Sequence, residues 1–288
     1  MFDFPEILSF PFLGEWINLA VEWLTVNLEP FFDVITISIR EPLVQIEHLL
    51  WWLPWWSIIL ILVAVAWKLA GYKTALGTLL GMVFIGVMGL WDQTMTTLAI
   101  IITSVAVSVL VGIPLGILAA TNDRFEAMLK PILDGMQTMP SFVYLIPAVF
   151  FFGLGKVPAV VATFIYAVPP CIRLTNLGIR QVSKELVEAG KAFGCTGVQL
   201  LFKIQLPLAR PSIMAGINQT IMMALAMVVI ASMIGASGLG LEVLRGIQRL
   251  DVGKGFLAGS AIVIVAIIID RISQSLGKGS VTLRRPGQ

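Results

Sequence analysis

The stretch IRQVSKELVEAGKAFGCTGVQLLFKIQLPL, residues 179–208, decides the fold, because it is the longest polar interruption in an otherwise apolar chain. Apolar segments at 157–178 and 209–234 flank it, and no run of charges breaks either one. Each segment is close to the roughly 20 residues that a helix needs to cross a bilayer. Residues 179–208 are therefore predicted to form a structured loop between two transmembrane helices.

The composition of the whole chain agrees with this interpretation. Of its 288 residues 58% are hydrophobic and 12% charged, and the mean hydropathy is +0.94. A soluble domain has about a quarter charged residues, and a disordered chain has low hydrophobicity, so both classes are excluded. The sequence predicts an all-α polytopic membrane protein with about seven transmembrane helices, at 54–70, 74–91, 95–120, 137–154, 157–178, 209–234 and 256–276.

Basic residues set the predicted orientation in the lipid bilayer. Of the 19 Lys and Arg residues, 14 lie on or near the side that holds the 179–208 loop and five lie on the opposite side. Positive residues accumulate on the cytoplasmic side of membrane proteins. We therefore expect the loop and the C-terminus in the cytoplasm and the N-terminus outside. The net charge of +2 gives no reason to expect a nucleic-acid partner.

The first 52 residues differ in composition from the rest, because they carry eight acids and one base, Arg40. Their polar residues recur every three or four positions, which predicts an amphipathic helix. Such a helix is expected to lie in the membrane interface or to pack against other helices of the protein. The run WWLPWW at 51–56 marks an interface, since Trp prefers the headgroup level. The polar stripe consists of Glu15, Asn18, Glu22, Thr25 and Glu29.

Within the 179–208 loop the pattern predicts two short helices with a tight joint. Ser183 is expected to cap the first helix, and Gly194 to end it. Thr196 and Gln199 have the spacing of a capping box at the start of the second helix, which Pro207 is expected to close before the next span. The apolar and small residues exceed what a connector needs. They predict a docking surface or, alternatively, helices that fold back against the membrane face.

The loop resembles the EAA signature of ABC importer permeases. It reads Glu188-Ala189-Gly190, three residues, Gly194, nine residues and Ile204-x-Leu206-Pro207, where the family form is E-A-A-x3-G-x9-I-x-L-P. Gly190 replaces the third small residue, an Ala, and keeps the close approach that a small residue allows. Further segments resemble the glycine betaine/proline betaine branch of these permeases: 136–153, 168–182, 201–240 and 262–274.

This resemblance implies a type I (MetI-like) permease core in the inner membrane of a prokaryote. In such importers two permease copies form the pathway, two cytoplasmic ATPase subunits hold ATP and Mg²⁺, and an external binding protein delivers the solute. The implied function is ATP-driven import of glycine betaine or a related quaternary ammonium compound for osmoprotection. The residues implied to contact the ATPase, or to set the return into the membrane, are Glu188, Ala189, Gly190, Gly194, Ile204, Leu206 and Pro207.

The resemblance also divides the chain, into an acidic external tail (1–52), two accessory transmembrane helices (53–91), the permease core (92–278) and a cytoplasmic tail (279–288). The chain itself is expected to bind no cofactor and to catalyse no reaction. It has no G-x-x-x-x-G-K-[ST] phosphate loop, and its single histidine excludes a histidine-based metal site within one chain.

A few polar positions interrupt the apolar segments, and these are the candidates for the solute pathway. Irregular backbone at membrane depth is tolerated where it lines a cavity, and aromatic faces suit a quaternary ammonium through cation–π attraction. Pro140 and Pro147 indicate that the 137–154 span is broken or kinked. Interhelical packing and hydrogen bonding are the alternative role for each candidate. The candidates are Gln137, Thr138, Phe142, Tyr144, Tyr166, Asn218, Gln219 and Met222.

Three other classes of function fit the sequence less well. One of them is a channel, because a single chain offers no repeated ring of charges and only an oligomer could supply one. A membrane enzyme would need paired acids, an HExxH helix or a nucleophile with its base, and the spans contain none of these. An ion-coupled secondary transporter usually needs acids or histidine at mid-membrane, and the spans are nearly free of them. Within the importer class, choline, carnitine, trimethylamine N-oxide and amino acids are the alternative substrates.

Overall fold

The computed structural model describes residues 12–278, except the side chains of Leu13 and Lys278, and this part of the chain contains helices and no strand. The predicted all-helical fold is confirmed. In chain order the helices are α1 (Phe12–Asn27), α2 (Glu29–Trp52), α3 (Trp55–Ala70), α4 (Tyr72–Val87), α5 (Trp91–Thr121), α6 (Asp123–Thr138), α7 (Leu145–Phe152), α8 (Lys156–Arg180), α9 (Lys184–Ala192), α10 (Gly197–Leu200), α11 (Leu206–Ala231), α12 (Leu239–Gln248) and α13 (Val252–Lys278).

Four helical units of the described chain are long and apolar enough to cross a membrane: α5, α8, α13 and the unit 197–234 that contains α11. Two bent pairs are further candidates. They are α2 with α3, bent by 105°, and α6 with 141–152, bent by 110°. The 16-residue α4 is apolar but shorter. By length and composition the described residues thus provide four to six membrane crossings. The expected total of about seven transmembrane helices stays a prediction.

The predicted break in the 137–154 segment is confirmed, and it lies at Met139-Pro140. Met139 has extended backbone angles (φ −69°, ψ 137°), because a proline disfavours helical geometry in the residue before it. A 3-10 turn at Ser141–Tyr144 then leads into α7. The helix α6, which precedes the break, was not predicted, since residues 121–136 were interpreted as a loop. Asn122 caps α6 by accepting hydrogen bonds from the backbone N–H groups of Arg124 and Phe125.

Glycines bring α5, α8 and α11 close together at the centre of the helical body. A Cβ atom on Gly116 of α5 would lie 2.8 Å from the carbonyl oxygen of Ile172 and 2.6 Å from Cβ of Thr175, both on α8. A Cβ atom on Gly216 of α11 would lie 3.1 Å from the carbonyl oxygen of Pro170. Small residues at such crossings let helix backbones approach closely inside a membrane. The three helices therefore form one tightly packed scaffold.

We expect Gly116→Ala to destabilise the folded chain by about 1–3 kcal/mol, the usual cost of overpacking a close-packed interior. The reason is that the methyl group meets backbone, which cannot rotate away. Gly77→Ala on α4 is the matched control, because nothing lies within 4 Å of a Cβ atom there. Thermal unfolding of the detergent-purified chain measures the difference. Equal melting temperatures for the two variants would contradict the close contact at Gly116.

Candidate functional site

The first half of the 179–208 loop is a short helix with a defined beginning and end. Ser183 Oγ accepts a hydrogen bond from Leu186 N at 3.4 Å and caps α9. At the other end, Cys195 N donates to Gly190 O at 3.0 Å and Gly194 N to Lys191 O at 2.9 Å. These two bonds, with Gly194 at φ +79°, form a Schellman motif, which favours glycine at the left-handed position. The predicted cap and stop are both confirmed.

The second half of the loop begins with the predicted capping box. Gln199 N donates to Thr196 Oγ1 at 3.3 Å, and Thr196 N donates to Gln199 Oε1 at 2.9 Å. The prediction that Pro207 closes this helix is wrong. After α10 the chain passes through a π-helical turn, Leu201–Gln205, directly into α11. Pro207 therefore lies inside a continuous helical path, where its missing N–H removes one backbone hydrogen bond directly after the π-helical turn.

The two halves of the loop contact each other at Gly190. This residue is buried, and a Cβ atom on it would lie 2.7 Å from Ile204 Cδ1 and 2.8 Å from Leu200 Cδ1. The absence of a side chain therefore lets α9 rest directly on the helix that enters the membrane. Leu206 follows half-buried, and Pro207 is exposed. Gly190 and Ile204, two positions of the signature, thus form one packed joint.

The loop presents an exposed apolar surface, which we call the loop face. Glu188, Ala189 and Gly194 are exposed beside it. Exposed apolar patches of this kind mark sites of protein–protein or membrane contact, so this exposure fits both a docking surface and helices that fold back against the membrane face. The loop face consists of Leu186 (48% exposed), Phe193 (90%), Val198 (68%) and Phe202 (61%).

The pathway candidates near Pro140 lie around the break in the helix. The Tyr144 hydroxyl donates to Met136 O across the break, and the Tyr144 ring is 6.1 Å from the Tyr166 ring, centroid to centroid. Phe142 is 58% exposed. Gln137 and Thr138 are exposed at the end of α6, and the Thr138 hydroxyl donates to Gly135 O at 3.1 Å. The structure therefore brings Tyr144 and Tyr166 together, but Tyr144 is buried in the core (4% exposed), Tyr166 is partly exposed, and Phe142 alone of these three offers an open ring face.

The candidates on α11 have different surroundings. Asn218 donates to Asp270 Oδ1 at 3.4 Å and accepts a hydrogen bond from the Ser273 hydroxyl, both on α13. Its described hydrogen bonds are therefore those of an interhelical network, the alternative role for this position. Gln219 is exposed and Met222 is 40% exposed. The Asp270 carboxylate also accepts from Gln274 at 2.8 Å.

Ion pairs hold the unpredicted helix α6 against α8. Arg180 lies 2.8 Å from an Asp123 oxygen and 3.0 Å from a Glu126 oxygen. Arg173 lies 2.5 Å from Asp134 Oδ1. Because both arginines belong to α8, the start of the broken segment is fixed to the central scaffold.

A buried ion pair was missed by the sequence analysis. The Lys156 ammonium lies 2.6 and 2.7 Å from the two carboxylate oxygens of Glu47, and the Thr96 hydroxyl donates to Glu47 Oε1 at 2.8 Å. Glu47 is 7% exposed and continues the buried stripe of α2 that includes Ile39 and Leu43. The four-residue spacing of these three residues was the available signal. The pair fixes α2 to α5 and α8.

The described residues contain no group of three or more His, Cys, Asp or Glu side chains that could hold a metal ion.

Comparison with known proteins gives three kinds of match. Residues 112–279 match the family described as the binding-protein-dependent transport system inner membrane component. The chain is 46% identical over 268 residues to the glycine betaine/proline betaine transport system permease protein ProW of Escherichia coli, covering 93% of this chain and 76% of that protein. It is 49% identical to the glycine betaine transport system permease protein OpuAB of Bacillus subtilis, covering 92% of this chain and 94% of that protein. It is also 49% identical to the glycine betaine/carnitine transport permease protein GbuB of Listeria monocytogenes, covering 95% of this chain and 98% of that protein. Among solved structures, it is similar in fold to a chain of the inward-facing MetNI methionine ABC transporter, with a TM-score of 0.56 and 22% identity over 68% of this chain and 94% of that chain.

Proposed function

The chain belongs to the family of binding-protein-dependent transport system inner membrane components, and from this premise we propose that it imports glycine betaine and related quaternary ammonium solutes. As a member of this family it is a permease, not an enzyme, and a separate subunit hydrolyses ATP. We further propose that it works as a homodimer with two ATPase subunits, which hold ATP and Mg²⁺, and with an external binding protein. The loop side then faces the cytoplasm and the N-terminus faces outward.

The observation that carries this proposal is the rigid joint of the 179–208 loop. Gly190 packs against Ile204 and Leu200, and the helical unit that begins at Gly197 continues to Ile234. An ATPase that docks on the loop face and moves on binding ATP would therefore displace a membrane helix with no flexible linker between them. In this mechanism Glu188, Ala189 and Gly194 contact the ATPase, while Ile204, Leu206 and Pro207 set the direction in which the chain enters the membrane.

The substrate class rests on the transport functions for which the relatives are named and on the chemistry of the break at Pro140. Three relatives that are 46–49% identical are named for glycine betaine transport. A quaternary ammonium donates no hydrogen bond, so aromatic faces are its natural partners in a pathway. The exposed Phe142 and the partly exposed Tyr166 offer such faces, and the buried Tyr144 packs against Tyr166 and supports it. Gln137, Thr138, Gln219 and Met222 are proposed to complete the pathway, and Asn218 to border it.

We expect Phe142→Leu to lower the initial rate of glycine betaine uptake by up to about tenfold, the range that a cation–π contact provides, because Phe142 offers an exposed ring face. Tyr144→Phe keeps the buried ring that packs against Tyr166 and loses only the hydrogen bond to Met136 O, so its uptake rate should stay close to that of the wild type. Phe150→Leu, which alters an exposed aromatic residue of α7, is the matched control. Uptake is normalised to protein that elutes as a monodisperse peak. Wild-type uptake in Phe142→Leu would contradict a role for this ring face in the pathway.

Uptake of labelled glycine betaine into proteoliposomes tests the proposal as a whole. The vesicles contain this chain and its ATPase, with the binding protein added on the external face, and each component is omitted in turn. Uptake that requires ATP and all components is expected. Uptake of a different solute, with no uptake of any quaternary amine, would contradict the substrate and keep the importer. Uptake without the ATPase would overturn the mechanism in favour of an ion-coupled carrier.

A further inference from the structure

A groove runs between α4 and α13 on the outer side of the helical body. The two helices touch at Gly81, where a Cβ atom would lie 2.5 Å from Ile264 Cγ2. Away from this contact they enclose a cavity of about 420 Å³, whose walls include Gly77 and the half-exposed Ile267. Nothing lies within 4 Å of a Cβ atom on Gly77, so the groove is open at this point. Its middle section is therefore an apolar channel along two apolar helices.

Two cations, Lys73 and Arg271, line the same groove. Both are exposed, and neither makes an ion pair or a side-chain hydrogen bond with any residue between Phe12 and Lys278 whose side chain is described. The neighbouring carboxylate of Asp270 accepts from Asn218 of α11 and from Gln274. This part of the groove thus carries two positive charges with no paired anion. It lies on the side of the membrane that holds the loop, since Gly277 on α13 approaches Met214 near the start of α11.

A buried hydroxyl group in the groove wall has no partner. Thr78 is 1% exposed and lines the groove, and its Oγ1 atom makes no hydrogen bond with any described residue. Thr74, one turn earlier, donates to the carbonyl oxygen of Ala70 at 3.3 Å, whereas Thr78 makes no such bond. A buried hydroxyl without a partner costs free energy. Because the Oγ1 atom has almost no accessible surface, an acceptor oxygen of a ligand in the groove would satisfy it only after the Thr78 side chain rotates towards the groove.

We propose that this groove binds one anionic phospholipid from the leaflet on the loop side. The phosphate lies between Lys73 and Arg271, and an acyl chain follows the apolar channel past Gly77. Rotation of the Thr78 side chain would let its hydroxyl donate to an ester oxygen of this lipid. Basic pockets between transmembrane helices recognise anionic headgroups in this way. A free phosphate would leave the apolar channel unfilled. Residues 279–288 contain Arg284 and Arg285 and no acid, so like charge opposes their entry.

Native mass spectrometry of the full-length chain tests this site without substrate, ATPase or binding protein, so its outcome is independent of the proposed transport function. The chain is purified in mixed micelles that contain dioleoyl phosphatidylglycerol and dioleoyl phosphatidylcholine in equal amounts. We expect one tightly retained phosphatidylglycerol. Lys73→Gln with Arg271→Gln should weaken its retention roughly 30-fold, since each basic side chain contributes about fivefold near an anionic lipid surface. Gly77→Leu fills the open channel and should also displace the lipid.

Matched variants distinguish lipid binding at this site from a general effect of positive surface charge on lipid retention. Lys68→Gln with Arg124→Gln removes the same two kinds of charge from exposed positions outside the groove and should leave retention unchanged. Gly259→Leu, on α13 and also without a neighbour within 4 Å, is the control for Gly77→Leu. Equal losses for the two charge pairs, or full retention in Gly77→Leu, would overturn the proposal. Displacement of the lipid by millimolar inorganic phosphate alone would identify a phosphate site instead.

Discussion

Gly190→Leu is expected to lower ATP-dependent uptake by about tenfold or more while the chain still inserts and folds. A Cβ atom at this position already lies within 3 Å of Ile204 Cδ1 and Leu200 Cδ1, so a leucine side chain has no room. Overpacking costs about 1–3 kcal/mol, and α9 can relieve it by moving away from the membrane helix. The contact between α9 and Ile204, which transmits the motion of the ATPase, is then lost. A tenfold loss of uptake rate corresponds to roughly 1.4 kcal/mol, which is within the range of this overpacking cost.

Gly190→Ala is the matched control for this prediction. Ile204 Cδ1 and Leu200 Cδ1 are the ends of flexible side chains, so a methyl group is accommodated by small rotations, and alanine gains helix propensity of up to about 1 kcal/mol over glycine. Near wild-type uptake is expected. Co-purification of the ATPase with each variant distinguishes lost docking from lost coupling. Wild-type uptake in Gly190→Leu would show that the contact with Ile204 plays no part in transport.

Local signals explain why the loop was predictable from sequence. Ser183, Gly194 and the pair Thr196–Gln199 each act on backbone groups within about five residues, and all three features have the predicted geometry. The break at Pro140 is equally local, because proline restricts the residue before it. Each of these features depends on residue type and spacing alone, and none of them changes when the rest of the chain folds around it.

Features that depend on distant partners were missed or interpreted incorrectly. Glu47 and Lys156 are 109 residues apart, and nothing in the sequence specifies that they meet. The two arginines that hold α6 likewise belong to another helix. Pro207 shows a different limit of prediction from sequence. A proline predicts the end of a helix, but it also occurs near the start of a helix that continues from a preceding turn. The preceding turn continues into α11, and only tertiary packing selects that outcome.

Glu47→Ala is expected to destabilise the folded chain by about 3 kcal/mol. This is the lower end of the range for breaking a buried ion pair, since the Lys156 side chain is 31% exposed. The substitution leaves the ammonium without its partner and removes the acceptor of the Thr96 hydroxyl. Because Glu47 also fixes α2 to the scaffold, the melting temperature measured by tryptophan fluorescence should fall and α2 should become sensitive to proteases.

Two further variants decide whether the buried pair itself causes this loss. Glu47→Ala combined with Lys156→Met removes both charges, and it should recover much of the stability because no unpaired ammonium remains. Glu242→Ala breaks the pair with the half-exposed Arg245 and should cost less than about 1 kcal/mol, as surface pairs do. If the double variant were no more stable than Glu47→Ala, the loss would come from the cavity left by the side chain. The charge on Lys156 would then be adequately solvated without Glu47, and α2 would be held by its apolar stripe alone.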